Sequence, residues 1–321
     1  MIRTGTLLIL AIGLATLVIG LGAYTRLTDA GLGCPDWPGC YGKLTLPHSE
    51  EAPRLALSHP ERPLEPHKAR NEMIHRYAAG SLGMLLLMLF VVSWREARRL
   101  PPLPTCLLLL VVGQALLGML TVTAALHPLI VMGHLLGGFA LLTLLWLSLT
   151  RSLSPLAAPP WLKRLGALAL LALLLQIALG GWTSANYAAM ACSELPLCQG
   201  EWHQQLSLTE AFHLPLGHAS YEFGVLGREA RQTIHIGHRL GALLATLALL
   251  GFSLGLLSQG ARASAALILA LLLCQLLLGI ANVVFILPLP NALAHNLVAV
   301  HLLIATAVTC RRLTSFPLRR S

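Results

Sequence analysis

Glu72-x-x-His75-Arg76 and His235-x-x-His238-Arg239 each set a histidine–arginine pair at the head of a long apolar run, and a further histidine, His134 or His295, heads the apolar run two places on. Ionisable groups in hydrocarbon are costly unless they have a partner or a task, so four histidines at matched positions point to a bound group. Two imidazoles at similar depth in one helix bundle can hold a haem iron from both faces, or hold a substrate haem beside a catalytic group. Glu72 breaks the match, because its counterpart is His235. Lying three residues before His75, it shares a helix face with that histidine, and a carboxylate in a dry site can move a proton or stabilise a developing cation. The first half is therefore expected to carry the chemistry and the second to hold a standing cofactor. Arg76 and Arg239 are placed to pair with haem propionates.

The elements that must position these groups are helices in a bilayer. Hydrophobic residues make up 56% of the 321 and charged residues 11%, too few polar groups to cover a soluble surface. Apolar runs of the length that crosses about 30 Å of hydrocarbon fall near 5–24, 73–94, 103–124, 129–150, 165–185, 233–258, 264–286 and 292–310. This predicts an all-α polytopic membrane protein of eight spans, the first being a retained helix and not a cleaved signal. Arg3, Arg95, Arg98, Arg99, Arg151, Lys163, Arg164, Arg262, Arg311, Arg312, Arg319 and Arg320 fall on one side, which the positive-inside rule makes cytoplasmic. Both termini are then cytoplasmic, and the long loops near 25–72 and 186–232 face the periplasm or external medium. The net charge of +9 is largely this topology signal. Its basic residues are spread over separate helix ends, so no nucleic-acid groove is implied.

Both outside loops carry C-x5-C, Cys34 with Cys40 and Cys192 with Cys198. Cysteines this close in an oxidising compartment read as disulfides. Cys106, Cys274 and Cys310 read as small buried apolar residues, His301 as a helix–helix hydrogen bonder, and His127 as solvated in a short outer turn. His48, His59, His67, His203, His213 and His218 are expected on exposed loop surface.

An internal repeat organises the chain. Gly22 to Cys34 is matched with Gly181 to Cys192, His75-Arg76 with His238-Arg239, and Gln114-Ala-Leu-Leu-Gly118 with Gln275-Leu-Leu-Leu-Gly279; Gln114 to His134 and Gln275 to His295 both span 20 residues. Two four-helix halves, 1–155 and 156–321, are expected. With an even number of spans each, they would be tandem bundles related by a pseudo-two-fold along the membrane normal.

The segment Tyr24 to Cys40 (YTRLTDAGLGCPDWPGC), the Glu72-x-x-His75-Arg76 motif and the duplicated histidines closely resemble the haem A synthase family, which includes the mitochondrial cytochrome oxidase assembly homologue. The resemblance covers essentially the whole chain. It implies oxidation of the ring methyl of haem O, by successive hydroxylation, to the formyl group of haem A for terminal oxidase assembly. It also implies a haem b cofactor on His238 and His295 in the C-terminal half, a haem O site on His75 and His134 in the N-terminal half, Glu72 as the acid needed for activity, and the disulfides Cys34–Cys40 and Cys192–Cys198. The first loop departs from the pattern in being long and proline-rich.

The implied setting is the bacterial inner membrane, with haem O synthase and an electron-transfer protein as partners. Two other classes share much of the pattern. A bis-histidine cytochrome that passes electrons from quinol or to ferric iron fits the four histidines but not a carboxylate in one half only. A haem transporter fits the duplication, but these spans lack the Gly/Pro-broken midplane segments expected of a carrier. Gly80-x-x-Gly83 and Gly137-Gly138 could pack helices within the chain or between copies, as a homo-oligomer would require.

Overall fold

The computed structural model describes residues 4–46 and 49–314. Arg3, His48, Arg319 and Arg320 lie outside the described residues. Among the described residues, eight helices are long and apolar enough to cross a membrane: α1 (Thr4–Leu27), α2 (Pro66–Ala97), α3 (Pro102–Thr123), α4 (Pro128–Leu149), α5 (Pro160–Ala185), α6 (Arg228–Ser258), α7 (Arg262–Val284) and α8 (Leu289–Thr314). Proline opens α2 to α5 at the first or second position, where its missing N–H costs nothing. The protein is a multi-pass, all-α membrane protein.

Helices α2 and α6 begin well before the apolar runs that announce them. Polar turns, Pro66 to Asn71 and Arg228 to Gln232, continue each helix outward. His75 and His238 therefore lie nine and ten residues inside their helices, not in the first turn or two. Hydropathy marks the hydrocarbon boundary, whereas the helix runs on because its outer turns pack under a loop, burying Ala69, Glu72 and Met73 in one case and Gln232, Thr233 and His235 in the other. His134 and His295 each lie six residues inside α4 and α8.

Two compact units form, Met1–Leu145 with Pro215–Val225, and Trp146–Leu214 with Leu226–Ser321. In the first, the close helix pairs are α1 with α2 and α2 with α3. Helix α4 meets α3 and α1 through side chains, Gln114 reaching Gly137 and Ile19 lying near Gly138. Tyr221, in the segment of the second loop that belongs to this unit, donates its N–H to the Ala125 carbonyl at 2.9 Å. The His127 ring packs edge-on against Tyr221 at 4.9 Å, so His127 is half-buried and not simply solvated. In the second unit α5 pairs with α6, α6 with α7, α7 with α8 and α8 with α5, closing a ring. Arg311 and Arg312 of α8 tie down the preceding connection through the carbonyls of Leu147, Thr150 and Ser154.

The repeat is visible in backbone geometry. Ala125 and Leu126 after α3 have φ of 48° and 65°, and Ile286 and Leu287 after α7 have 58° and 54°. Asp29 and Tyr187 make a matching left-handed turn after α1 and α5. Such conformations are uncommon for residues with a Cβ, so their recurrence fixes the register. Gly22 then corresponds to Gly180, one residue away from the Gly181 match expected from sequence, because each lies against its histidine. His301 bonds within its own helix, to the Leu297 carbonyl at 2.7 Å, and not across helices. Cys106 and Cys274 are exposed on their helices instead of buried. A Cβ at Gly80 or Gly83 would meet nothing within 4 Å.

The first loop is pressed against α2 at Gly33, where a Cβ would lie 2.6 Å from the Lys68 carbonyl carbon. That neighbour is backbone and cannot swing aside. Gly33→Ala is expected to destabilise the protein by about 1–3 kcal/mol, read as a lowered Tm in detergent, whereas Gly13→Ala, which faces open space, leaves Tm unchanged.

Candidate functional site

Each loop is closed on itself and then fastened to a histidine-bearing helix. Disulfides join Cys34 to Cys40 and Cys192 to Cys198. Asp36 turns the first loop, its carboxylate accepting the Tyr41 and Gly42 amides at 2.6 and 2.8 Å. Tyr41 donates its hydroxyl to the Arg62 carbonyl at 2.9 Å, and burial pushes its phenol above the usual value.

The two arginines do the fastening. Arg76 donates to the carbonyls of Asp36, Pro38 and Gly39 and forms an ion pair with Glu72. Arg239 donates to Glu194, Pro196, Leu197 and Cys192. One guanidinium thus gathers carbonyls that converge from a tight loop, which its planar fork of donors suits and a lysine ammonium does not. Both arginines sit on loop backbone one residue after the histidines, a use that the sequence pattern alone did not indicate.

Glu72 and His235 occupy equivalent places under these loops. Glu72 is 4% exposed, its Oε1 on Arg76 and its Oε2 accepting the Cys34 amide at 2.9 Å. His235 is 5% exposed and accepts the Cys192 amide on Nδ1 at 3.3 Å. An acceptor for the first cysteine's amide is thus common to both, but only the first unit carries a carboxylate there. Its charge is balanced by Arg76, and stripping one partner from such a buried pair costs about 3–5 kcal/mol.

Below this layer each histidine lies over a glycine of a neighbouring helix. A Cβ would fall 2.9 Å from Cε1 of His75 at Gly22, 3.4 Å from that of His134 at Gly118, 3.1 Å from that of His238 at Gly180 and 3.3 Å from that of His295 at Gly279. The His75 and His134 ring centres are 6.4 Å apart. Two imidazoles sharing one metal ion, each nitrogen at about 2 Å, would have centres roughly 6 Å apart. Nδ1 of His75, His134 and His295 is buried with no hydrogen-bond partner, which is costly for a polar atom. In the first unit, paired imidazoles at this separation with an unused nitrogen each are a donor set that suits a haem iron.

The family model described as cytochrome oxidase assembly protein matches residues 5–307. The "Heme A synthase" of Shewanella oneidensis is 48% identical over 302 residues, 91% of each chain. The chain belongs to the haem A synthase family. Proteins of the same description from Azorhizobium caulinodans and Sphingopyxis alaskensis are 31% and 28% identical, over 92% and 94% of this chain and 89% of each relative. Membership makes the protein an oxidoreductase of cytochrome oxidase cofactor biosynthesis.

In this haem A synthase homologue the residues that sequence reading passed over are glutamines. Gln176 approaches His238 and Gln275 approaches His295; Gln114 and Gln275 served only to mark the repeat. Their signal was a lone amide in an otherwise apolar helix, a group that must find a partner.

Arg76→Lys and Arg239→Lys are expected to free their loops. Each charge-assisted bond is worth about 1.5–3 kcal/mol, so losing one or more should speed amide exchange at 34–40 and 192–198 by roughly tenfold or more. Exchange unchanged by either substitution would contradict the clamp.

Proposed function

We propose that this protein is a haem A synthase that oxidises the ring methyl of haem O to the formyl group of haem A by successive hydroxylation, for assembly of a terminal oxidase. The observation that carries this reading is the one-sided carboxylate. Within a family chain whose two units repeat the histidines, glycines and arginine clamps, only the first has Glu72. The first unit is accordingly taken as the haem O site and the second as the haem b site. The side-chain packing of α4 in the first unit and the closed helix ring of the second favour that division, since a substrate must come and go while a cofactor stays.

His75 and His134 hold and orient substrate haem O, and Arg76 and Arg239, each one residue after a histidine, are the cations offered to the propionates of the two porphyrins. Glu72 stands three residues from His75, and its carboxylate is the group that accepts a proton or offsets positive charge as the methyl carbon is oxidised. Its pair with Arg76 and the Cys34 amide keep it aimed and dry. His238 and His295 hold haem b, which when bound supplies electron transfer that amino-acid side chains cannot. The chain is read as a tandem duplication in the bacterial inner membrane, with cytoplasmic termini, periplasmic loops, haem O synthase as the source of substrate and a separate electron-transfer partner.

The test is chromatography of haems extracted from membranes that make haem O, with and without the protein, alongside Glu72→Gln. Haem A appearing with the wild type and falling at least tenfold in the variant, with b-type haem retained, is the expected result. If b-type haem is the only pigment in both, the protein is an electron-transferring cytochrome.

A further inference from the structure

The two units treat their histidines differently. In the second, the Gln176 amide nitrogen lies 3.0 Å from His238 Nδ1 and 3.0 Å from the His238 carbonyl, and the Gln275 amide nitrogen lies 3.2 Å from His295 Nε2. In the first, neither His75 nor His134 has a side-chain hydrogen-bond partner; their rings meet only backbone, of Val18 and Gln114.

The difference has a readable cause. By the register of the loop cysteines and the histidine-facing glycines, Gln176 corresponds to Val18, so α1 offers His75 no amide. Gln114 does correspond to Gln275, but it is drawn elsewhere. It fills the notch at Gly137, where a Cβ would lie 1.9 Å from its amide nitrogen. The counterpart of Gly137, three residues after the histidine, is Val298, whose side chain removes the notch. Space for Gln176 is made by Gly241, where a Cβ would fall 2.4 Å from Gln176 Oε1; Ala78 stands at the equivalent place after His75.

We infer that Gln176 is a positioning residue that fixes the His238 ring as a permanent haem ligand, while Val18, at the equivalent place on α1, leaves His75 without a side-chain partner, as suits a haem that must leave. The inference rests on the second unit being the haem b site. A partner on the remote ring nitrogen sets ring orientation and ligand basicity, and so both retention and potential. An amide suits this task because rotation about its last bond presents either a donor or an acceptor to the ring. The Gln176 Oε1, buried and without a hydrogen bond, is the atom that would accept an Nδ1–H if Nε2 held iron.

The experiment is redox titration of the full-length protein carrying the haem it acquires in the cell, with haem loss to apomyoglobin measured in parallel. Gln176→Val and Gly241→Ala are expected to raise the midpoint potential of the second-unit haem and to speed its loss about 10–100-fold. Gln176→Glu, which keeps an acceptor and adds charge, is expected to lower the potential, a reversal that mere packing damage would not give. His238→Ala serves as the control on the underlying assignment. If it abolishes the low-spin haem spectrum while the other three variants keep the wild-type potential, Gln176 does not position the ligand. If the spectrum survives His238→Ala, the assignment of the second unit is wrong and the inference falls with it.

Discussion

Much of this structure follows from the cost of placing an imidazole among membrane helices. Water is absent there, so each polar edge needs a partner, a metal or a route to the interface. The common element is a glycine on a neighbouring helix that lets the Cε1 edge of the ring come up against backbone, at Gly22, Gly118, Gly180 and Gly279. That contact brings the helices close enough to define a slot and fixes the depth of each ring. A Cβ at Gly22, 2.9 Å from His75 Cε1, would force that ring to shift.

Above the rings, the loops are shaped by a second constraint, the satisfaction of carbonyls in tight turns. A disulfide alone would leave several of those carbonyls without donors. Arg76 and Arg239 collect them and transmit loop position to the helix one residue from the histidine. Loop and histidine-bearing helix are thus held together, and Glu72 or His235 is the buried acceptor that joins them. The close match of the clamps argues that they predate the divergence of the halves.

A handful of side chains then separates two copies of one scaffold. Glu72 against His235 changes the charge beneath the loop, and Val18 against Gln176 with Gly137 against Val298 changes how the rings are held. None of these alters a helix.

Eight spans, four matched histidines, both disulfides and the asymmetry at Glu72 were legible in the sequence, since hydrocarbon thickness, oxidising compartment and repeat spacing each act on a stretch of chain a few residues to a few turns long. Contacts between stretches were not. The outward extension of α2 and α6 past their apolar runs depended on loops packed over polar turns. The arginines' loop carbonyls, the one-residue shift of the Gly22 match to Gly180, the bond of His301 within its own helix and the turn of Gln114 away from His134 all depended on which atoms of distant helices meet. Sequence determined which groups had to be partnered; only the tertiary structure decided with whom, because in a medium without water a polar atom takes whichever partner packing brings within about 3 Å.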